Sequence, residues 1–546
     1  MAEGKDAFSH FQEHSVAEFF KKNRQMLGFS GKTKSMTTII HEAVSNSLDA
    51  CEEAGILPEL KVAIRELGEF HFLVHVEDNG PGIPKQYLGK ALGQMLAGTK
   101  FHRYVQQRGQ QGIGISGVSM YSLLTTGKHP RIISSYKNKK LSCELSLDLK
   151  TNRAELLNLV EDDNPDGKTG LTYEAEFKDV EYKRSEQGVY EYLRRTALAN
   201  PHASISITEP NGESSSFPRV IESNPKRPRE IQPHPLGISA HDLLDVAHAQ
   251  KENRKISAFL QNSLARVSAN KVSELRTLVP DVDFDKDPSD MSWEDAEKIV
   301  QSFKKVKWIA PETDSIVPIG KEQIEKSFNN IFTPEIISVT ERSPKIYRGG
   351  VPFMVEAAIA YGGGIAHAGK KGDMMRFANR VPLLFDAGGC AITESIKSVE
   401  WSRYGLKNFE EEPVVVLVNF VSVHVPYTGA GKQAVSTEED VFDEIKNAVM
   451  EAARGVQRYI SGKRKAHEIE SKRKAILRYV EQLSGDLASL SDSKAKDSLR
   501  QKLLKLVEEK YAILEAEENG EGKPEGNSSE SENGKHENGN GNDENE

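Results

Sequence analysis

Long apolar runs are missing from this chain of 546 residues: no stretch approaches the roughly 20 consecutive apolar residues that a membrane-spanning helix needs, so no membrane segment is expected. Cysteine is scarce as well. Cys51, Cys143 and Cys390 lie far apart, with no C-x-x-C pair and no His-rich spacing, which argues against zinc and against a disulfide framework and fits a reducing cytoplasm. The opening residues, MAEGKDAFSHFQEHS, hold no basic region followed by an apolar one, so export is not expected and a cytoplasmic location is. Positive charge is not in excess either. A formal net charge of −9 and a pI near 6.0 argue against coating nucleic acid through bulk charge, so any DNA contact must be local. Much of the negative charge sits in residues 516–546, rich in Glu, Asn and Gly, a segment expected to be a disordered acidic tail. What remains is a composition of 37% hydrophobic and 28% charged residues, enough for roughly three or four domains with a substantial core.

The chemistry concentrates between residues 42 and 116. MTTIIHEAVSNSLDAC (36–51) has helical periodicity, and at 100° per residue Glu42, Asn46 and Asp49 fall at about 0°, 40° and −20° on one face, opposite Ile40, Val44 and Cys51. Two acids and an amide on one face suit a site, or a solvated surface. A strand-like stretch, FHFLVHVE (70–77), then runs into Asp78-Asn79-Gly80-Pro81-Gly82-Ile83. A carboxylate at a strand end can accept from the exocyclic amine of a base, and glycines permit close backbone approach; read alone, D-N-G is simply a turn. A second glycine series, Gly109-Gln110-Gln111-Gly112-Ile113-Gly114-Ile115-Ser116-Gly117, leads into an apolar, helix-like segment over 118–124. Successive N–H groups entering a helix N-terminus suit a di- or triphosphate. The same G-x-G-x-x-G spacing also fits a dinucleotide fingerprint, but no strand leads directly into it and no ribose-binding acid follows at the usual distance.

The order of these three pieces resembles the GHKL ATPase superfamily, which includes gyrase-type B subunits, MutL, the ninety-kilodalton chaperones and sensor histidine kinases. The wording HEAVSNSLDACEEAGILPE (41–59) and RGQQGIGISGVSMYSLLT (108–125) is similar to that of the B subunit of type IIB DNA topoisomerase, topoisomerase VI. Farther on, IYRGGVPFMVEAAIAYGG (346–363) and MMRFANRVPLLFDAGG (374–389) resemble the transducer domain of that family rather than gyrase, MutL or the chaperones.

The resemblance implies an α+β multidomain chain: a GHKL (Bergerat) ATPase α/β sandwich with an N-terminal strap over 1–224, a small helix-two-turns-helix domain over 230–307, an α/β transducer with long C-terminal helices over 308–515, and the tail. The proline-rich, basic SNPKRPRE (223–230) marks the first boundary. The aromatic-rich residues 7–31 read as a core helix or as a strap exchanged between partners. In the helical domain, Arg254, Lys255, Arg266, Lys271 and Arg276 suit phosphate contacts or a solvated face. Strands are expected over 351–364, 379–393 and 414–427, and a long helix or helix pair over 443–515.

By the same resemblance the cofactors are ATP and Mg2+. Asn46 ligates Mg2+, Glu42 is the general base, and Asp78, Gly80 and Gly82 hold adenine. Thr99 and Lys100, with the lid Gly109, Gln110, Gln111, Gly112, Ile113, Gly114, Ile115 and Ser116, hold the phosphates. Lys432, in the loop YTGAGKQA (427–434), reaches the γ-phosphate; without the resemblance it is an ordinary loop lysine. The implied function is ATP-driven self-dimerisation that gates passage of double-stranded DNA through a break made by the family's tyrosine-bearing A subunit, in an A2B2 heterotetramer. No residue here stands out as a cleavage tyrosine. A MutL-like clamp in DNA repair is the alternative. No client-binding segment supports a chaperone, and no phospho-acceptor helix supports a histidine kinase.

Overall fold

The structure, a computed structural model, describes residues 24–25, 28–95, 104–109, 112–148, 151–369, 371–429, 431–490 and 496–518. Thr99, Lys100, Gln110 and Gln111, most of the expected strap, and the acidic tail beyond residue 518 lie outside them. The chain divides into two compact bodies, Met1–Gln457 and Arg458–Glu546.

The first body begins with helix α1 (Lys32–Ala54), which ends where Gly55, at φ 74°, turns left-handed and donates its N–H back to the last turn. Then come β1 (Glu59–Gly68), β2 (His71–Asp78), α2 (Lys85–Gly93), α3 (Gly114–Thr126), β3 (Arg131–Tyr136), β4 (Lys139–Asp148), β5 (Arg153–Asp163), β6 (Gly170–Lys178), α4 (Val189–Ala199), β7 (Ser204–Thr208) and β8 (Ser214–Phe217). The strands form one 8-stranded sheet in the order β5-β4-β3-β6-β2-β1-β7-β8, antiparallel except for the β1–β7 pair. Along β2 burial alternates, so Phe72, Val74 and Val76 point into the core beneath α1, α3 and α4. Each such apolar side chain removed from water contributes about 1.5–3 kcal/mol, which makes this helix-on-sheet layer the support for the site.

Four helices follow, α5 (Ala240–Ala249), α6 (Ile256–Ser263), α7 (Ala269–Leu278) and α8 (Trp293–Phe303), around a core of their own that includes Leu243, Phe259, Leu275, Ile299 and Phe303. Ser239 and Ser292 close capping boxes at the starts of α5 and α8. Of the basic residues that suit phosphate contacts or a solvated face, Arg276 and Lys255 both pair with Asp285, holding its carboxyl down at about 2, while Lys271 pairs with Glu274.

The second sheet comes from α9 (Lys321–Phe332), β9 (Ile336–Glu341), β10 (Lys345–Tyr347), β11 (Val351–Tyr361), α10 (Gly364–His367), β12 (Asp373–Ala378), β13 (Val381–Pro382), α11 (Ala391–Lys397) and β14 (Val414–Ser422). Its order is β10-β11-β14-β12-β13, with β9 also on β11. β11 and β14 are buried on both faces, which explains their unbroken apolar runs. The strand expected over 379–393 is not one. It is a tight turn at Asn379 and Arg380, both left-handed, then two strand residues ending at Pro382, which has no N–H to donate, and beyond a Gly-Gly break the helix α11. The strand beside it, β12, had no counterpart among the expected ones. All three cysteines are buried.

Helix α12 (Glu439–Leu490) begins in the first body and continues in the second. In the second body it packs with α13 (Lys496–Glu518) through Val480, Val507 and Tyr511, and Glu481 pairs with Lys496 and Arg500. A helix pair was one of the two expectations for this segment.

Candidate active site

Glu42 and Asn46 stand one turn apart on α1. Asn46 Nδ2 donates to the Glu42 carbonyl at 2.7 Å, which commits the amide nitrogen to the helix and leaves Oδ1 as the outward atom. That oxygen faces Gly109, where an added Cβ would lie 3.8 Å from it. Glu42 faces Gly114, the first residue of α3: a Cβ there would fall 1.9 Å from Glu42 Oε2. The glycine series therefore packs against both the expected base and the expected metal ligand. Gly112, Ile113, Gly114, Ile115 and Ser116 lead into and form the first turn of α3, earlier than the expected helix start at 118. There an α-helix leaves its N–H groups without intrahelical acceptors and carries partial positive charge.

Asp78 ends β2 beneath a cavity of about 160 Å³ walled by Val76, Ile83, Leu92, Ile115 and Tyr173. An apolar cavity of about that size holds an aromatic ring. Asp78 Oδ2 accepts from Ser47 Oγ at 2.6 Å, and Oδ1 accepts from the N–H groups of Gly80 at 2.9 Å and Leu171 at 3.2 Å. A carboxylate has about four acceptor positions, so three internal bonds leave one for an exocyclic amine in the cavity. Burial pushes the Asp78 pKa up, opposed by those three donors. The loop after it is fixed by contact with β3: Ile83 N donates to Ser134 Oγ at 2.8 Å, and Gly82, at φ 71°, lies so near the Ser135 carbonyl that a Cβ would come within 2.2 Å of its oxygen. Behind Gly80 lies the Cys51 thiol.

Lys432 lies in the loop after β14. Its own φ is 51°, its N–H donates to the Gly429 carbonyl at 3.1 Å, and Tyr427 bridges to Val435 across the loop. Burial lowers the His41 pKa; Glu42 opposes this, and the positive charge of Lys432 adds to the lowering. Asp49 does not join these groups. Its carboxylate accepts from Arg108 Nη1 at 2.7 Å.

A family model described as the histidine kinase-, DNA gyrase B-, and HSP90-like ATPase matches residues 31–151, and one described as the topoisomerase VI B subunit transducer matches residues 311–473. The type 2 DNA topoisomerase 6 B subunit of Pyrococcus horikoshii is 43% identical over an alignment covering 95% of this chain and 98% of its own. This chain belongs to the family of type 2 DNA topoisomerase 6 B subunits. The B subunit of Methanothermobacter thermautotrophicus is 45% identical, covering 89% of this chain and 94% of its own. Among solved structures, the 43K ATPase domain of Thermus thermophilus gyrase B aligns with a TM-score of 0.40 and 13% identity over 85% of this chain and 98% of its own.

In this member of the topoisomerase 6 B family, Glu42, Asn46, Asp78 and the glycine series fall within the ATPase match and Lys432 within the transducer match. The sequence reading missed Ser47, Ser134 and Leu171, which orient Asp78 and its loop. Leu171 stands opposite Asp78 only because β6 pairs with β2, a register no local pattern announces. It also missed Arg108, whose one signal was its place immediately before Gly109.

Proposed function

We propose that this chain is the ATP-binding and ATP-hydrolysing B subunit of a type IIB DNA topoisomerase working in the cytoplasm. The observation that carries this reading is the meeting of the two matched regions beside the glycine series: Asn379, from the transducer match, donates to the carbonyl of Gln107, two residues before Gly109 in the ATPase match, at 3.3 Å. The functional divisions are those expected from the sequence, with an ATPase part over 1–224, a helix-two-turns-helix part over 230–307, a transducer part over 308–515 and the tail beyond.

The residues present fit ATP with Mg2+. Asp78 accepts from the adenine amine, the first-turn N–H groups of α3 receive phosphate oxygens, and Asn46 Oδ1 is an outward oxygen ligand of the kind magnesium takes. When bound, the metal neutralises charge on the phosphate oxygens. Glu42 orients the attacking water and takes its proton on a carboxylate oxygen. Thr99, Lys100, Gln110 and Gln111 complete the phosphate contacts. Lys432 offers its ammonium to the terminal phosphate, so the transducer has different partners before and after hydrolysis and nucleotide biases its position. Two copies close on ATP around DNA, and cleavage is supplied by a tyrosine-bearing A subunit within an A2B2 assembly, so that supercoils are relaxed and DNA is decatenated.

The test is recovery of the tagged full chain from its native cell extract with a non-hydrolysable ATP analogue, followed by mass identification of stoichiometric partners. A DNA-cleaving partner with a nucleophilic tyrosine is expected; recovery of repair proteins alone would overturn the topoisomerase reading.

A further inference from the structure

Residues 104–108, which lead into Gly109, are tied down at nearly every position. Tyr104 bridges to Ile231; Gln106 exchanges two hydrogen bonds with the backbone of Val317, at 2.9 and 2.6 Å; the Gln107 carbonyl accepts from Asn379 Nδ2 at 3.3 Å. Arg108, 5% exposed, forks between Asp49 and Glu52 of α1, at 2.7 and 2.6 Å, and also reaches Asn200 Oδ1 at 2.6 Å. The same oxygen of Glu52 lies 3.7 Å from Arg380 Nη1 and 2.9 Å from His202 Nε2. One carboxylate oxygen is thus shared by two buried guanidinium groups, one from the approach to the phosphate loop and one from the β12–β13 turn.

The turn hands this contact inward. Arg380 N donates to Asn419 Oδ1 at 3.1 Å, and Asn419 Nδ2 donates to the fully buried Glu356 at 2.7 Å. Glu356 also accepts from the N–H groups of Ile319 and Gly320, where α9 begins. Asn379 meanwhile clamps Ser422, the last residue of β14, by two hydrogen bonds of 2.9 and 3.0 Å, and β14 leads to the Lys432 loop. A continuous buried polar network therefore runs from α1 through the residue before Gly109 to the middle of the second sheet.

The network is held but not saturated. Among the described residues, the Nε atoms of Arg108 and Arg380 are buried without a hydrogen-bond partner, and both Asn379 and Arg380 sit at positive φ, 49° and 66°, a conformation that persists only where its surroundings impose it. A cavity of about 320 Å³ bordered by both arginines and by Asp49, Glu52, Gln107 and Asn379 leaves the guanidinium groups room to shift.

We propose that Asn379 and Arg380 form a second nucleotide-sensing contact of the transducer, separate from Lys432, which reads the position of residues 107–108 through Glu52 and passes it to β14. The inference rests on the ATPase reading above. Both are positioning residues; neither touches nucleotide. A shift of the phosphate loop on nucleotide binding moves Arg108, changes how the two guanidinium groups divide Glu52, and so changes the hold of the turn on Ser422.

The experiment is hydrogen exchange of the full chain with and without a non-hydrolysable ATP analogue, in wild type, Arg380→Gln, Arg380→Lys and Asn379→Ala, with nucleotide affinity, kcat and KM measured alongside. In wild type, exchange should slow both at residues 104–109 and at 376–382 and 419–423. In Arg380→Gln and Asn379→Ala the first response should persist and the second be lost, with kcat reduced. Arg380→Lys should restore part of it, and should Arg380→Gln not fold, Asn379→Ala carries the test. A nucleotide response at 376–382 that survives in the variants overturns this inference alone; no nucleotide response anywhere in wild type overturns the ATPase reading as well.

Discussion

Gly114 and Glu42 are in such close contact that a single methyl group on Gly114 would overlap the carboxylate, 1.9 Å from Oε2. The start of α3 and the expected base are therefore one steric unit. Gly114→Ala should displace Glu42 from the position where it meets the attacking water. ATP hydrolysis should fall by about 100-fold or more, the range for a misplaced general base, while the Tm changes little because the clash is at a half-buried site. A steady-state ATPase assay with thermal melting checks both; normal turnover would remove the steric argument.

Glu42→Ala should bind ATP and barely hydrolyse it, by about 10² to 10⁴-fold in kcat. Asn46→Ala should instead raise the Mg2+ concentration needed for half-maximal hydrolysis, because it deletes the outward oxygen. Magnesium titrations of the two variants separate base from ligand.

Asp78→Asn replaces one acceptor oxygen with an N–H₂ that would confront either Ser47 Oγ or the N–H groups of Gly80 and Leu171. Hydrogen bonds to charged groups are worth about 1.5–3 kcal/mol, so ATP affinity should fall by roughly ten- to a hundredfold. Calorimetric titration should show the loss for ATP, and unchanged affinity would reject Asp78 as the adenine acceptor.

Burial lowers the pKa of four histidines, His41, His202, His234 and His424, below the usual value of 6.5. The folded chain then binds fewer protons than the unfolded chain just below that value, so stability is complete above about pH 6.5 and is lost as pH falls through it, by up to about 1.4 kcal/mol per unit for each histidine. Melting should occur at a lower temperature at about pH 5.5 than at pH 7.5, and His202→Gln should flatten the slope.

The parts of the site legible in the sequence are those built from neighbours along the chain. Glu42 and Asn46 share a helical face, Asp78 and Gly82 share a strand end, and the glycine series enters a helix. Asp49 shares that face by angle but is claimed by Arg108, 59 residues away in sequence, which no periodicity reveals. Ser47 and Leu171 were hidden for the same reason. Over 379–393 apolar, β-branched residues suggested a strand, but Pro382 and the left-handed pair at 379–380 ended it. Local propensity yields there to backbone conformation and tertiary contact.

The burial of every cysteine makes the native chain a silent background for thiol chemistry. Only the thiolate reacts, and burial, helped by Asp78 and Glu52, pushes the Cys51 pKa up to about 12, while burial also raises Cys143. A cysteine introduced on the exposed surface would react ahead of the native thiols. Because Cys51 lies behind Gly80, two residues after Asp78, its slow modification should report the parting of α1 from the end of β2. Nucleotide that fills the pocket should slow that modification without any label being added.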